Sequence, residues 1–283
     1  MMSATKTLVT IMTPVYNALP YLPDYLECLK KQTWRPLECI FVDDGSIDGS
    51  AQLLQKEKSA MEETGLTVKL VFKEHGGQAS AINSALPLVT GELITWCDDD
   101  DLLTPDSIEK KAQWLIDHPD YGMVRSDSTI YDMDKKCKIG KASDQGSSAE
   151  NLFDDILLDR TYCFAGCYMI RTELLFSCYP DKRIPESPEG QNLQLLLPPA
   201  SRTACGHIPE ELHTYRRHSK SHSRQGRSFK ECMERIKNFT ALRLAILDHC
   251  QCDREKYKKI AAGIEQSSIK ELLCQVAHKT RFS

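Results

Sequence analysis

The densest chemistry in the chain lies in Asp98-Asp99-Asp100-Asp101, four carboxylates that follow the apolar run Leu93-Ile94-Thr95-Trp96. A run of this kind predicts a buried strand. Four adjacent negative charges at the end of a buried strand repel one another and lose hydration unless a cation neutralises them. A hard divalent cation, Mn2+ or Mg2+, meets that need, because it takes oxygen ligands and also accepts phosphate oxygens. The competing reading is an acidic loop solvated by water. Position argues against it, since the run leads into Thr104-Pro105-Asp106, which predicts a helix start with Thr104 as N-cap, Pro105 at the first helical position and an acid in the first turn. Ligands of open α/β sheets sit at the carboxyl ends of strands.

The elements that must position this run alternate along the first 120 residues. Residues 8–12, 37–42, 68–72 and 93–96 predict short strands. Helices are expected at 20–31, where Leu22, Tyr25, Leu26 and Leu29 recur at helical spacing, at about 50–63 after Asp48, at 78–86, and through Ile108, Ala112, Leu115 and Ile116. The alternation predicts an α/β fold with a largely parallel sheet. In such a sheet the loops Thr13-Pro14-Val15-Tyr16-Asn17, Asp43-Asp44-Gly45-Ser46 and the acidic run meet at one edge, so a site is expected there on topology alone. Beyond Tyr121 the expectation is short strands at 123–124 and 128–133, a polar hairpin or loop at 134–150, a short helix at 151–160 and a buried strand at 163–170. A loop is expected at 184–190, then a buried helix through Leu193, Leu195, Leu196 and Leu197 that Pro198-Pro199 stop, a polar segment at 214–227, and two further helices at 229–250 and 254–279.

Composition narrows the function classes. The chain has 283 residues, 41% apolar and 27% charged, as in a globular protein. A net charge of −4 gives no basic balance for nucleic acid. No apolar run approaches the roughly 20 residues of a spanning helix, and Met1 to Lys6 carry no signal-peptide core, so a cytoplasmic location is expected. Twelve cysteines without a CxxC pair read as buried thiols in a reducing compartment, not as disulfides or a zinc site.

Four stretches taken together carry a recognisable pattern: residues 9–17, residues 41–50, His75-Gly76-Gly77 with residues 79–83, and residues 91–101. In order and spacing, over residues 7–120, they resemble the inverting glycosyltransferases of family two, of the bacterial surface-polysaccharide type, which share the nucleotide-binding GT-A fold. Tyr215-Arg216-Arg217-His218 with Ser221-His222-Ser223 resembles the family's C-terminal signature. The resemblance implies a GT-A domain over residues 1–226 and a C-terminal helical extension over 227–283. It implies a nucleotide-sugar donor, a UDP-sugar by the family's usual arrangement, with Mn2+ or Mg2+ as cofactor.

On these residues, Thr13, Pro14 and Tyr16 would line the base and ribose pocket, and Asp44 would accept a hydrogen bond from the base. Gly76 and Gly77 would let the backbone approach the nucleotide, although plain turn glycines fit them equally. Asn83 would lie near the nucleotide, with Ile82 where the family often has arginine. Asp98 and Asp100 would form the metal-binding Asp-any-Asp motif, with Asp98 or Asp99 near the ribose and Asp101 capping the next helix or backing the ligands. His218 or His222 would add a nitrogen ligand or touch the diphosphate, and Arg216, Arg217 and Arg224 would neutralise phosphates; plain solvation is the alternative for these residues.

The family's general base falls in a Glu-Asp-like motif, and here the aligned residues are Gln191-Asn192, amides that cannot act as a base. Glu189 is the nearest carboxylate and the expected base, Glu186 the next; a structural or acceptor-binding role for this loop is the alternative. Gln191 and Asn192 would hydrogen-bond acceptor hydroxyls, and a subgroup of the family carries this Glu-Gly-Gln-Asn form. By analogy the acceptor is a glycan or lipid-linked glycan, which makes contact with the inner face of a membrane an expectation. The C-terminal helices would dock on that membrane, close a homodimer, or cover the sheet. The rival from another class is a non-catalytic nucleotide-sugar-binding scaffold. A nucleotidyltransferase would carry a glycine-rich basic loop after the first strand, where none stands.

Overall fold

A computed structural model of the chain describes residues 6–146, 148–218 and 227–281. The order is β1 (Val9–Val15), α1 (Leu22–Lys30), β2 (Leu37–Asp43), α2 (Ser50–Glu63), β3 (Leu66–Phe72), α3 (Gln78–Ala85), β4 (Leu93–Trp96), β5 (Leu102–Leu103), α4 (Ser107–Asp117), β6 (Met123–Asp132) and β7 (Cys137–Lys141). There follow α5 (Phe153–Leu157), β8 (Tyr168–Arg171), α6 (Thr172–Cys178), α7 (Asn192–Ala200), β9 (Cys205–Arg217), α8 (Phe229–Leu247) and α9 (Arg254–Arg281).

One sheet joins the strands in the order β3-β2-β1-β4-β8-β6-β9-β5, with β7 paired to β6. β1, β2, β3 and β4 are mutually parallel, so their carboxyl ends share one edge, as the alternation of elements requires. β8 runs antiparallel to β4 and to β6, and β9 runs parallel to β6. Two reversals restore the original direction. The carboxyl end of β9, and with it His218, therefore returns to the edge where β4 delivers the acidic run.

Side chains alternate across the sheet with period two. Val9, Ile11, Cys39 and Phe41 pack with Leu26, Leu54, Ile108 and Ala112 on one face. Met12, Ile40, Ile94 and Trp96 pack with Ile82, Leu195, Leu196 and Ile246 on the other. The C-terminal helices thus cover the sheet: Leu242, Ile246, Leu247 and Tyr257 belong to the same apolar core as β4.

Several local expectations shift, each for a physical reason. β1 continues through Thr13 and Pro14 to Val15, because those residues pair with Phe41, Val42 and Asp43. The helix after the acidic run begins at Ser107, since Thr104 Oγ1 bonds Asp106 Oδ1 at 2.7 Å and the turn closes first. The two strands expected at 123–133 are one strand, β6, whose middle is polar yet buried: Arg125 bonds Thr161 at 2.8 Å and Asp127 accepts from Ser143 at 2.5 Å. The polar segment at 214–227 begins inside β9, whose register slips opposite Ser126 to Ser128 and breaks the period-two pattern. Of the strand expected at 163–170 only its end is β8; residues 163–167 cross β4 instead, with the Gly166 N–H on Trp96 O at 2.5 Å. Pro198 and Pro199 lie inside α7 and do not stop it. Pro198 has no N–H for the carbonyl of Gln194, and the hydroxyl of Tyr179 donates to that oxygen at 2.8 Å in its place.

α4 also buries a cation. The ammonium of Lys111 is inaccessible and donates to Gly166 O, and burial lowers its pKa from 10.5 to about 8. Between those pH values the unfolded chain carries this proton and the folded chain does not, so this group's contribution to stability rises with pH. The unfolding free energy of the wild type minus that of Lys111→Met is expected to grow by up to about 3 kcal/mol from pH 8 to pH 10.5 in urea titrations. A flat difference would contradict the buried cation.

Candidate active site

At the ends of β2 and β3 the backbone folds around one carboxylate. Asp44, buried at 2% exposure, accepts from Gly77 N at 2.7 Å, Gly76 N at 3.0 and 3.1 Å and Lys73 Nζ at 2.6 Å, and its Oδ2 lies 2.9 Å from His75 Nδ1. Gly77 has φ +88, a conformation that a side chain would strain, which explains the glycine there. The N–H groups of both glycines are thus engaged by Asp44. At the end of β1, Tyr16 stands nearly half exposed, its N–H on Asp99 Oδ2 at 3.3 Å and its ring stacked on His75 with 4.1 Å between centroids. Asn17 and Ser46 tie the two loops together through Ile47 N to Asn17 Oδ1 and Asn17 N to Ser46 Oγ, both 2.9 Å. The hydroxyl of Thr13 points the other way, into the core, 2.6 Å from Tyr25 OH, and Pro14 is buried in the strand. Neither side chain lines an open pocket, in contrast to the sequence expectation.

The acidic run fans out from β4. Burial and the neighbouring carboxylates push Asp98, Asp99 and Asp101 well above the usual carboxylate range. Asp101, 1% exposed, accepts from Arg216 N at 2.8 Å and lies 3.1 Å from His213 Nε2, so it fastens the run to β9 and caps no helix. Arg216 donates to Asp100 O and reaches Asp24 at 2.9 Å; its guanidinium is held by protein groups and does not stand open to phosphates. His218, stacked on Tyr21, brings Nε2 to 3.1 Å from Asp100 Oδ2. Two residues 118 apart in sequence thus present an oxygen and a nitrogen side by side. His222 and Arg224 lie outside the described residues.

The start of α7 closes the other side. Gln191 Nε2 donates to Asp98 Oδ1 at 2.8 Å, and Trp96 Nε1 donates to Asn192 Oδ1 at 2.7 Å. Gln191 Oε1 is buried and unpartnered among the described residues. Glu189 is 9% exposed and lies 3.4 Å from Arg235 Nε of α8. Asn83 serves this loop: its amide bonds Ile184 N and O at 2.8 and 3.1 Å and Glu186 Oε1 at 3.1 Å. It is buried and pins residues 184–186, whereas a place beside the nucleotide was expected.

The sequence profile described as glycosyl transferase family 2 matches residues 10–175, more than half of the chain and the whole of the converging edge except β9 and α7. The chain belongs to glycosyl transferase family 2. It is similar to TuaG of Bacillus subtilis, a protein named for teichuronic acid biosynthesis, at 30% identity over 138 residues, 46% of this chain and 53% of TuaG. The chain spans about half or less of the curated relatives it matches, 17%, 53% and 34% of three of them. In three dimensions it is similar to S. aureus TarS 1-349 in complex with UDP (TM-score 0.64, 16% identity, 94% of this chain and 70% of that one). It is also similar to the mannosyltransferase PcManGT from Pyrobaculum calidifontis in complex with GDP-Man and Mn2+ (TM-score 0.60, 18% identity, 97% and 75%). These likenesses show the fold.

The donor set of this family 2 chain fits a divalent cation only in part. Among the described residues no group of three or more His, Cys, Asp or Glu is gathered tightly enough to hold one. Asp100 and His218 offer two ligands, with three further carboxylates beside them in the run. Mg2+ and Mn2+ suit such a half-site, because they draw their remaining ligands from phosphate and water. The partners His75, His213 and Arg235 were not foreseen, since each is reached only through a long-range fold contact. His75 alone had a nearby signal, its place in His75-Gly76-Gly77.

Proposed function

We propose that the protein is an inverting, metal-assisted glycosyltransferase that moves a sugar from a UDP-sugar to a hydroxyl of a glycan or lipid-linked glycan, in surface-polysaccharide or glycoconjugate synthesis. The observation that carries the reading is the Asp100–His218 pair, formed at the strand edge where Tyr16 and Asp44 also stand. In this reading Tyr16 packs against the base, Asp44 and the Gly76-Gly77 turn shape the base end, and Asp99, held by Tyr16 N, faces the ribose. Asp100 and His218 would hold Mn2+ or Mg2+, with Asp98 beside them; the cation supplies charge stabilisation to the departing diphosphate. Binding of GDP-Man with Mn2+ by PcManGT and of UDP by TarS supports a nucleotide diphosphate donor.

For transfer, Glu189 takes the proton of the acceptor hydroxyl as that oxygen attacks the anomeric carbon opposite the diphosphate. Arg235 Nε, 3.4 Å from Glu189 Oε2, fixes that carboxylate in place. Gln191 Oε1, buried and without a partner among the described residues, would accept from a second hydroxyl. No helix among the described residues is long and apolar enough to cross a membrane; the protein works from the cytoplasm, at the inner membrane face when the acceptor is lipid-linked.

A second reading, a non-catalytic nucleotide-sugar-binding scaffold, is favoured by one observation: both amides at the base position are tied to structure, Gln191 to Asp98 and Asn192 to Trp96. UDP release from a panel of UDP-sugars, with Mn2+ and mixed glycan acceptors, separates the two. Turnover that falls about a hundredfold or more in Glu189→Gln while UDP still binds is the expected result. UDP binding without turnover would favour the scaffold, and unchanged turnover in Glu189→Gln would remove Glu189 as base.

A further inference from the structure

A cavity of about 170 Å3 lies between α8 and α9, against the loop that carries Asp159. Its charged lining is Asp159, Glu265, Arg235 and Arg243, two of each sign. Arg243, 5% exposed, gives one N–H to Asp159 Oδ2 at 2.5 Å, but its Nε is buried without a partner among the described residues. Arg235 reaches Glu189, yet its Nη1 is likewise buried and unpartnered. The two guanidiniums lie over Phe239, 5.2 and 5.6 Å from its centroid. Buried donors left open in this way call for oxygen acceptors, which water or a ligand entering the cavity would bring.

The lining decides the class of that ligand. A phosphate or carboxylate would satisfy the arginines but would also meet Asp159 and Glu265. A neutral polyol accepts from the open N–H groups and donates to the carboxylates, so both signs are used. The cavity also adjoins the proposed base: Arg235 bonds Glu189, and the position of a Cβ on Gly190 is 3.8 Å from Phe239 Cε1. We propose that this cavity is a subsite for a neutral sugar residue of the acceptor, one that holds the glycan while a neighbouring hydroxyl reaches Glu189. The proposal rests on the glycosyltransferase reading above.

Saturation-transfer NMR of the full chain, without nucleotide, with methyl glycosides of glucose, galactose and N-acetylglucosamine tests it, with glucuronate and glucose 6-phosphate as anionic counterparts. Neutral glycosides are expected to bind, and about tenfold more weakly after loss of one of these hydrogen-bonding groups in Arg243→Leu. Because Arg243→Leu also breaks the pair with Asp159, Ser268→Trp provides a second variant that fills the cavity from α9 and leaves both ion pairs in place; thermal melting checks both folds. Neutral glycosides that fail to bind, bind equally to Ser268→Trp, or bind more weakly than the anionic sugars would overturn the proposal. A parallel UDP titration with Mn2+ separates the two readings. If UDP binds and glycosides do not, the subsite alone fails; if glycosides bind and UDP does not, the transferase reading fails and the saccharide site stands.

Discussion

Asp100→Ala is expected to lower turnover by about a thousandfold and to make UDP binding indifferent to Mn2+. Asp100 is the member of the acidic run that meets His218 across the sheet edge, at 3.1 Å. Its neighbours are committed elsewhere: Asp101 to Arg216 N and His213, Asp98 to Gln191, Asp99 to Tyr16 N. Asp101 has both oxygens tied and Asp98 and Asp99 one each, whereas Asp100 alone of the four has His218 beside its carboxylate. Asp101→Ala should behave differently, with a lower melting temperature as well as lower activity, because it frees β9 from the run. Isothermal titration of UDP with and without Mn2+, together with melting curves, distinguishes the two variants. Asp100→Ala that kept both metal-dependent binding and turnover would contradict the assignment.

Asp44→Ala is expected to have the largest effect on stability at the site, about 3 kcal/mol, or roughly 6 to 12 °C in Tm. The carboxylate is buried and gathers two backbone N–H groups, a lysine and a histidine. Its removal leaves the N–H groups of Gly76 and Gly77 without an acceptor and lets the Lys73 to Gly77 loop open. Asp44→Asn keeps the shape but replaces one oxygen with a donor facing other donors, so it should fall between wild type and alanine. The loss of donor affinity should track the loss of loop order, read by proteolysis at residues 73–77. A melting temperature unchanged in both variants would show that the loop stands without Asp44.

The parallel half of the fold was legible because β1, β2 and β4 are buried on both faces and its helices are amphipathic. Short apolar runs bounded by turn residues stand apart from the longer helical repeats, and the carboxyl ends of these strands do share one edge. His218 was legible only as a signature residue; its contact with Asp100 depends on the two strand reversals through β8 and β6. β6 hid behind its buried Arg125-Ser126-Asp127 centre, where hydrogen bonds replace the apolar contacts that a pattern detects. Asn83 and Thr13 were assigned to the nucleotide, but each turns inward. Spacing gives the face of a helix or strand, and here the inward partners, Ile184 and Tyr25, come from other elements. The prolines of α7 misled for the same reason, since the hydroxyl that satisfies Gln194 O comes from Tyr179 on another element.

The central claim is that Asp100 and His218 form half of a metal site that the donor's diphosphate completes. Mn2+ binding to the wild-type protein, followed by electron paramagnetic resonance with and without UDP, tests it most directly. Weak binding of Mn2+ alone, tightened about tenfold or more by UDP and matched by an equal effect of Mn2+ on UDP, is the predicted result. Mn2+ affinity that is the same with and without UDP would contradict it.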